Sequence, residues 1–583
     1  MPGVIEAITF LVLSAQAGAF GAGILAVASV YAGTLVAIGL SVGLSLLTSS
    51  RYQSQAQAPK PEDVQQSFRQ ATAPRVRHYG RVKVSGPWVF AEASQGYFHK
   101  VLAIGHGRID AVEEYWLDDN PVTLSGVWVQ TAPWTDLVHI DVRLGNPTET
   151  PYSLLSSYFP VWTSDHRGDG VASLYAIQRS VSQADINRLF PNLINTSYRL
   201  VIRGALIENP VTSAVVWDDN AASVIRDYII NPDGMRLPLS VVTTPLAQAG
   251  WEEAYNRSAE AMPLKAGGSE PRYRLWGSYR LDERPADVLG RFLQCCDGRL
   301  VPTPDGGLTL DIGEWAEPTV ILDADAIVGF AEIGRGRDIL NTANTIRATY
   351  LEPAQDYQAA DADPWIDDAD VSDRGEISQD IAFNLAPSHS QARRLMKLAA
   401  YRAAPDWVGQ FRCNLRGLAA IGERFVRIQY PLLGIDRTFE VQDIRFDLGE
   451  GGILIGVTIT AQTLPRAATQ WDPEQEEGDA PVMDQSEPDD ELPVPDAPDV
   501  AFDTGPVAVL TFAASDSVLL SYKVHFRKTA DSDWTVSAAL DNDATSYTTP
   551  TLSASTEYEF ALSFVTEKGR DGARGDSTVD TTP

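Results

Sequence analysis

The side chains that could do chemistry are few, and their spacing suits little of it. The seven histidines, His78, His99, His106, His139, His166, His389 and His525, form no HExxH zinc pair. His99 and His106 bracket an expected turn, where a metal site competes with ordinary surface or core roles. In the acidic run Asp361–Asp373, Asp368, Asp370 and Ser372 have the spacing of the first ligands of a calcium loop. Asp373 then stands where that loop needs glycine, and no Glu closes it, so a solvated acidic loop is expected. Cys295, Cys296 and Cys413 include no CxxC pair, and adjacent cysteines rarely bridge; all three read as reduced core residues, which fits folding in a cytoplasm. No GxSxG, P-loop or GxGxxG is present. Arg574-Gly575-Asp576 spells the integrin tripeptide and reads as a charged turn before the last strand. Paired carboxylates need only meet in space, and nothing in the sequence points to a pair. The expectation is a chain that is not an enzyme, with no catalytic, cofactor-binding or metal-binding residues and no cofactor.

The elements that would position any site belong to several domains, since 583 residues exceed one core. A net charge of −31 disfavours polyanionic partners, so sequence-specific nucleic-acid binding is not expected. From Ala7 to Ser50 there is no charged residue. One helix of that length would reach about 65 Å, roughly twice a bilayer core. Two helices broken at Gly18–Gly23 (GAFGAG) are expected, with Gly18, Gly21, Gly23, Gly39 and Gly43 as packing positions and Gly39/Gly43 in GxxxG spacing. No basic residue precedes the run and no clear cleavage site follows, which argues against a secretory signal.

Residues 51–75 read as a polar linker. Strand-like alternation follows at Arg81–Ser85, Phe98–Ile104, Ile109–Leu117, Val138–Leu144, Leu174–Gln178 and Tyr198–Ile207, with a turn at Gly105–Gly107. Asn220 is placed to cap a helix burying Val224, Ile225, Tyr228 and Ile229. A second helix from about Pro285 turns Val288, Leu289, Phe292, Leu293 and Cys296 inward, stops at Gly298 and leads into a hairpin turned by Asp305-Gly306-Gly307. A third begins at the capping box Ser388-His389-Ser390-Gln391 and runs to about Ala403. Strands return at Phe411–Leu415, Arg424–Gln429, Thr438–Phe446 and Ile453–Thr460.

Residues 467–499 carry twelve acids, six prolines and no Lys or Arg, the composition of a self-repelling extended linker. Short alternating strands beyond it indicate a β-sandwich. Within that module Leu552-Ser-Ala-Ser-Thr556-Glu-Tyr558 resembles the fibronectin type III pattern Leu-x-Pro-x-Thr-x-Tyr, with Ala554 in place of Pro. The resemblance implies a tyrosine corner at Leu552 and Tyr558, and puts Phe512 where the family has an inward Trp.

The middle of the chain resembles the central hub proteins of long-tailed (siphovirus) phage tail tips, the lambda-type tip attachment group. The resemblance rests on Arg77-His-Tyr79-Gly80-Arg81-Val82, Gly86-Pro87-Trp88-Val89-Phe90, Gly107–Asp119, Asn209-Pro210, Asp218-Asp219-Asn220 with Val224–Ile230, Tyr273-Arg-Leu-Trp-Gly277, Asp287-Val288-Leu289, Gly298-Arg299-Leu300-Val301 and Asn341–Tyr350. It covers roughly residues 76–465, each motif being short and the shared order being the stronger signal. It implies a homotrimeric hub at the distal tip of the virion tail, made in the host cytoplasm. Two related tube-like domains per subunit would give a pseudo-sixfold ring that closes the tail tube and takes part in host attachment and opening of the tube for DNA delivery. Implied partners are the distal tail protein ring and other tail tip proteins, the tape measure protein, tail fibre or receptor-binding proteins, and the host envelope during infection. Unlike the largest members of that group, the protein is expected to have no long receptor-binding extension after the fibronectin module.

The expected fold is mainly β and multidomain, with α+β hub subdomains, an apolar helical N-terminal segment and a C-terminal fibronectin type III sandwich. The divisions are 1–50 (lumen plug or membrane-active segment), 51–75 (linker), 76–210 (first hub β subdomains), 211–330 (hub α+β subdomain), 331–466 (tube-like hub β subdomain), 467–496 (acidic linker) and 497–583 (fibronectin module). Two other readings remain open, a membrane-anchored bacterial envelope adhesin and a tail-associated cell-wall hydrolase.

Overall fold

The computed structural model describes residues 61–583 except 62, 70–71, 183–184, 187–188, 337–341, 482–491, 504, 516, 518–519, 542 and 567–569. The apolar segment with Gly18, Gly21, Gly23, Gly39 and Gly43 therefore lies outside the described residues, as does Asn341. The chain is mainly β and divides into two units at residues 482/483.

Among the described residues, the three largest of several cores organise the first unit. The first lies between two sheets. A six-stranded sheet is built around Tyr97–His106, Val171–Arg179 and Val138–Leu144, and a five-stranded one around Tyr198–Glu208 and Ile109–Leu117. Leu102, Ile140 and Leu174 from one meet Val82, Ile109, Leu200 and Ile202 from the other. Alternation puts the apolar set of each strand on one face, which is why these strands were legible. The expected turn at Gly105–Gly107 is shorter than foreseen: Gly105 and His106 still pair in the strand, and only Gly107 and Arg108 separate it from Ile109–Leu117.

A second core gathers helices Ala221–Ile230, Pro245–Ser258, Pro285–Gln294 and His389–Ala403 with strands Thr345–Glu352 and Ser378–Phe383. It draws residues from Tyr79 to Ala399, so it crosses the divisions placed at 210/211 and 330/331. Asn220 caps the first helix by accepting from Ala222 N–H at 3.0 Å. Pro245–Ser258 was missed, because its apolar pattern is weak and only Ala247, Trp251, Ala254 and Ser258 are buried. Its start is nevertheless marked by Thr244 as N-cap and Pro245 at the first position.

The third core is enclosed by a six-stranded sheet. Its edge strands, Val320–Leu322 and Ile327–Arg335, are consecutive in sequence. Across a flat six-stranded sheet the edges stand about 24 Å apart. The link from Leu322 to Ile327 spans at most about 18 Å. The sheet must curl until its edges approach, and it does so around Phe411, Phe439 and Ile459.

Much of the acidic segment after residue 466 is not extended. Arg466–Ala468 and Pro473–Glu476 form short helical turns, and residues 470–479 pack on the first unit. Basic groups of that unit neutralise the self-repulsion expected of the free run.

The second unit is a sandwich of a three-stranded and a five-stranded antiparallel sheet. One core between them contains Leu510, Tyr522, Val524, Tyr558, Phe560 and Leu562, with Phe512 and Leu552 partly buried against it.

Candidate functional site

The residues that could have done chemistry do not assemble. His99 and His106 sit seven apart on one strand, with an irregularity in its pairing between them, and they take different partners. His99 is buried with its Nδ1 2.8 Å from the Tyr175 hydroxyl, while His106 Nε2 is 2.8 Å from Asp233. The acidic run is not a solvated loop: Asp367 caps helix Asp368–Arg374. Asp370 is buried, pairs with Arg374 and accepts from Asn344 Nδ2 at 3.0 Å. Among the described residues no three His, Cys, Asp or Glu side chains stand close enough to hold a metal ion. All three cysteines are free and buried. Burial pushes the Cys295 and Cys413 thiols up to about 12, which leaves them neutral and unreactive.

Three of the segments that carried the resemblance, by contrast, meet. Strand Val76–Tyr79 pairs with Gly277–Arg280, so the Arg77–Arg81 and Tyr273–Gly277 segments lie side by side. Gly80 takes φ +64, and a Cβ there would stand 2.3 Å from Trp276 Cδ1. Trp276 Nε1–H donates to the Asp219 carboxylate at 2.7 Å, and Trp217 Nε1–H donates to the Gly80 carbonyl at 3.2 Å. Leu275 N–H donates to the Asp219 carbonyl at 2.9 Å. Asp227, on the helix capped by Asn220, accepts from the Tyr79 hydroxyl at 2.6 Å and from Arg77 at 3.1 Å. His78 is buried between the Ser278 hydroxyl at 2.6 Å and the Ile104 carbonyl at 2.9 Å. Burial lowers its imidazole to about 4, so it is neutral near pH 7. Gln391 holds the same junction. It does not reach back to complete the expected capping box; only Ser388 caps, accepting from Gln391 N–H. The Gln391 amide is buried and bonds the backbone of Arg274 and Cys295 instead. A buried amide left unpaired costs ~1–3 kcal/mol, so these bonds outweigh the box.

A second cluster joins this junction to the curled sheet, and sequence reading missed it. Arg402 forms paired bonds to Asp297 (2.7 and 2.9 Å) and to Glu440 (2.9 and 2.7 Å). Arg299 donates to Glu440 and to the Val441 carbonyl, each at 2.6 Å. Arg424 pairs with Asp297 and lies 3.5 Å from Asp311 and 3.3 Å from Glu440. Burial alone would raise the Glu440 and Asp297 carboxyls; Arg402 with Arg299 and Arg424 around Glu440, and Arg402 with Arg424 around Asp297, bring both below the usual carboxylate range. Three guanidiniums balance three carboxylates. The one available signal was an isolated acid between core residues, Phe439-Glu440-Val441.

In the second unit the Tyr558 hydroxyl accepts from Ser553 N–H at 3.2 Å, and Leu552 packs on the core. Arg574 of the Arg-Gly-Asp segment is stacked on the Trp534 ring at 4.5 Å, with Arg527 at 4.4 Å. A Cβ on Gly575 would stand 1.9 Å from the Pro495 carbonyl oxygen. That tripeptide is part of the sandwich's packing.

No protein-family model matches the chain, and no curated protein does. Among solved structures, a chain from the virion of a native gene transfer agent particle is similar at 15% identity over 77% of this chain and 97% of that one, with a TM-score of 0.49. An FN3 domain of human collagen XX is similar at 21% identity over 18% of this chain and 99% of that one, with a TM-score of 0.14. An Fn3-like protein from Clostridium thermocellum is similar at 23% identity over 15% and 86%, with a TM-score of 0.13. None of these likenesses is close enough to identify a family.

Proposed function

We propose that the chain is the central hub of a phage-like tail tip, a homotrimer that closes the distal end of the tail tube and anchors tip or fibre proteins. One observation carries this reading. Three of the segments that carried the resemblance, Arg77–Arg81, Asp218–Asn220 with its helix, and Tyr273–Gly277, form one buried junction, and Arg299 links the adjoining helical core to the curled sheet. Their chemistry is architectural: Gly80 for close approach, Trp276 and Asp219 for a locked crossing, Asp227 for a strand-to-helix tie. This supports a scaffold and not an enzyme. Exposed Leu448, Ile453 and Ile455, at the tip of hairpin Ile435–Leu448 and Leu454–Thr463, offer apolar surface for contact between subunits.

The distal ring, tape measure and fibre proteins are then its neighbours, and the host envelope is met on infection. Cryo-EM of particles carrying an epitope at the C-terminus tests the reading. The label is expected in three copies at the tail tip; label on the head or along the tube overturns it. The uncharged N-terminal run and the fibronectin-like sandwich keep an envelope adhesin as the second reading, for which membrane fractionation of the chain expressed alone is decisive. A peptidoglycan zymogram checks the proposed lack of hydrolase activity.

A further inference from the structure

The acidic segment that follows the curled sheet lies in a groove that suits it. Lys265 donates from its backbone N–H to Glu477 at 3.0 Å, and from Nζ to Asp479 at 2.6 Å and to the Gly478 carbonyl at 3.1 Å. Lys397 pairs with Glu476 and donates to the Gln470 carbonyl at 2.7 Å. Arg393 Nε–H donates to the Glu476 carbonyl at 3.0 Å. Trp471 Nε1–H reaches the Pro263 carbonyl at 3.2 Å. The groove presents three basic side chains against one acid, Asp363, whose carboxylate lies beside Gly478, in a chain of net charge −31. Its occupant, Asp472–Asp479, carries five acids and no base.

The contacts divide by depth. Lys397 and Arg393, on helix His389–Ala403, are buried with the segment in place. The outer contacts are open to water: Asp479 is 92% exposed and its partner Lys265 38% exposed. Exposed pairs contribute only ~0–1 kcal/mol each and weaken with salt. Mutual repulsion of the five acids opposes docking.

We propose that residues 470–481 form a releasable electrostatic clasp, a self-supplied acidic peptide in a basic groove of Lys265, Arg393 and Lys397. Release frees twelve residues of chain. The freed chain can then span at most about 40 Å, and the groove opens to an acidic peptide from elsewhere. The proposal stands independently of the hub reading, because it is measured on the isolated full-length chain.

Hydrogen exchange of the peptide spanning 470–481, referenced to helix His389–Ala403, is the test. Raising salt from about 0.05 to about 0.5 M, with Debye lengths falling from more than 10 Å to less than 8 Å, is expected to speed exchange in 470–481 by about threefold while the helix is unchanged. Lys265→Ala should give a similar gain at low salt, in keeping with one exposed pair, and Lys265→Arg should restore protection. A variant carrying Glu477→Gln and Asp479→Asn checks the same pairs from the other side, without touching the groove. Exchange that is insensitive to salt and to all of these substitutions overturns the clasp and leaves Trp471 and the buried lysine as a permanent anchor.

Discussion

Two acid–base clusters in the first unit use the same kinds of side chain at different depths. Around Glu440 three arginines face three acids, with Glu440 and Asp297 buried and Asp311 at the margin, and every donor but Arg424 Nε meets a carboxylate or a carbonyl. Around Lys265 one exposed ammonium faces exposed acids. Coulomb's law favours both, but water screens only the second. In the enclosed cluster desolvation raises the stakes of losing any partner, so it fixes how the helical core meets the curled sheet. In the open cluster the same chemistry yields a contact that salt can dissolve. The difference shows that depth, more than the number of ion pairs, decides which joint is rigid.

The largest test breaks the enclosed cluster. Glu440→Gln leaves three arginines facing two carboxylates and is expected to destabilise the first unit by about 3–5 kcal/mol, read from its urea unfolding transition. Restoring balance with Arg299→Met in the same chain should recover part of that loss. If the double variant is no better than the single, charge balance is not what the cluster supplies.

Acid gives the next effect. The Glu440 and Asp297 carboxyls are held below their unfolded values, so their stabilisation is complete above about pH 4–4.5 and is lost as pH falls further. Buried His78, lowered to about 4, acts earlier. The unfolded chain takes up its proton near 6.5, the folded chain only near 4. Stability from His78 is therefore full above about 6.5 and declines from there to about 4, by roughly 3 kcal/mol in total. His99 and His389, also lowered to about 4, add in the same direction. Thermal midpoints between pH 7 and 4 should fall, with a shallower slope in His78→Gln. An uncharged buried contact provides the control: Gly80→Ala forces a Cβ against Trp276 at positive φ and should cost about 1–3 kcal/mol at every pH in that range.

What could be read from the sequence follows from the range of each interaction. Strands such as Val138–Leu144 and Ile109–Leu117 were legible because alternation is local. The Asn220 and Ser388 caps were legible because a cap and its helix are adjacent. The Gly80–Trp276 contact and the Arg299–Glu440 pair join residues far apart in sequence, and no local pattern announces them. Composition misled where partners were distant. The run Asp361–Asp373 appeared solvated until Arg374 and Asn344 were brought to Asp370. The segment after residue 466 appeared extended until Lys265 and Lys397 were brought to it.

The smallest expected effect sharpens the comparison most. Lys265→Ala removes the exposed ammonium of the open cluster, yet it should change global unfolding of the first unit by no more than about 0.5 kcal/mol. Protection of a local segment and stability of the whole unit are different quantities: residues 470–479 can leave the groove while the cores behind it stay packed. In the enclosed cluster they coincide, because Glu440 cannot lose its arginines without parting Val441 and its strand from the helical core. Measured together, Lys265→Ala should raise exchange in 470–481 with the urea transition almost unmoved, and Glu440→Gln should shift both. A Lys265→Ala chain that lost several kcal/mol of global stability would mean that the acidic segment belongs to the core, and the contrast between the two clusters would collapse.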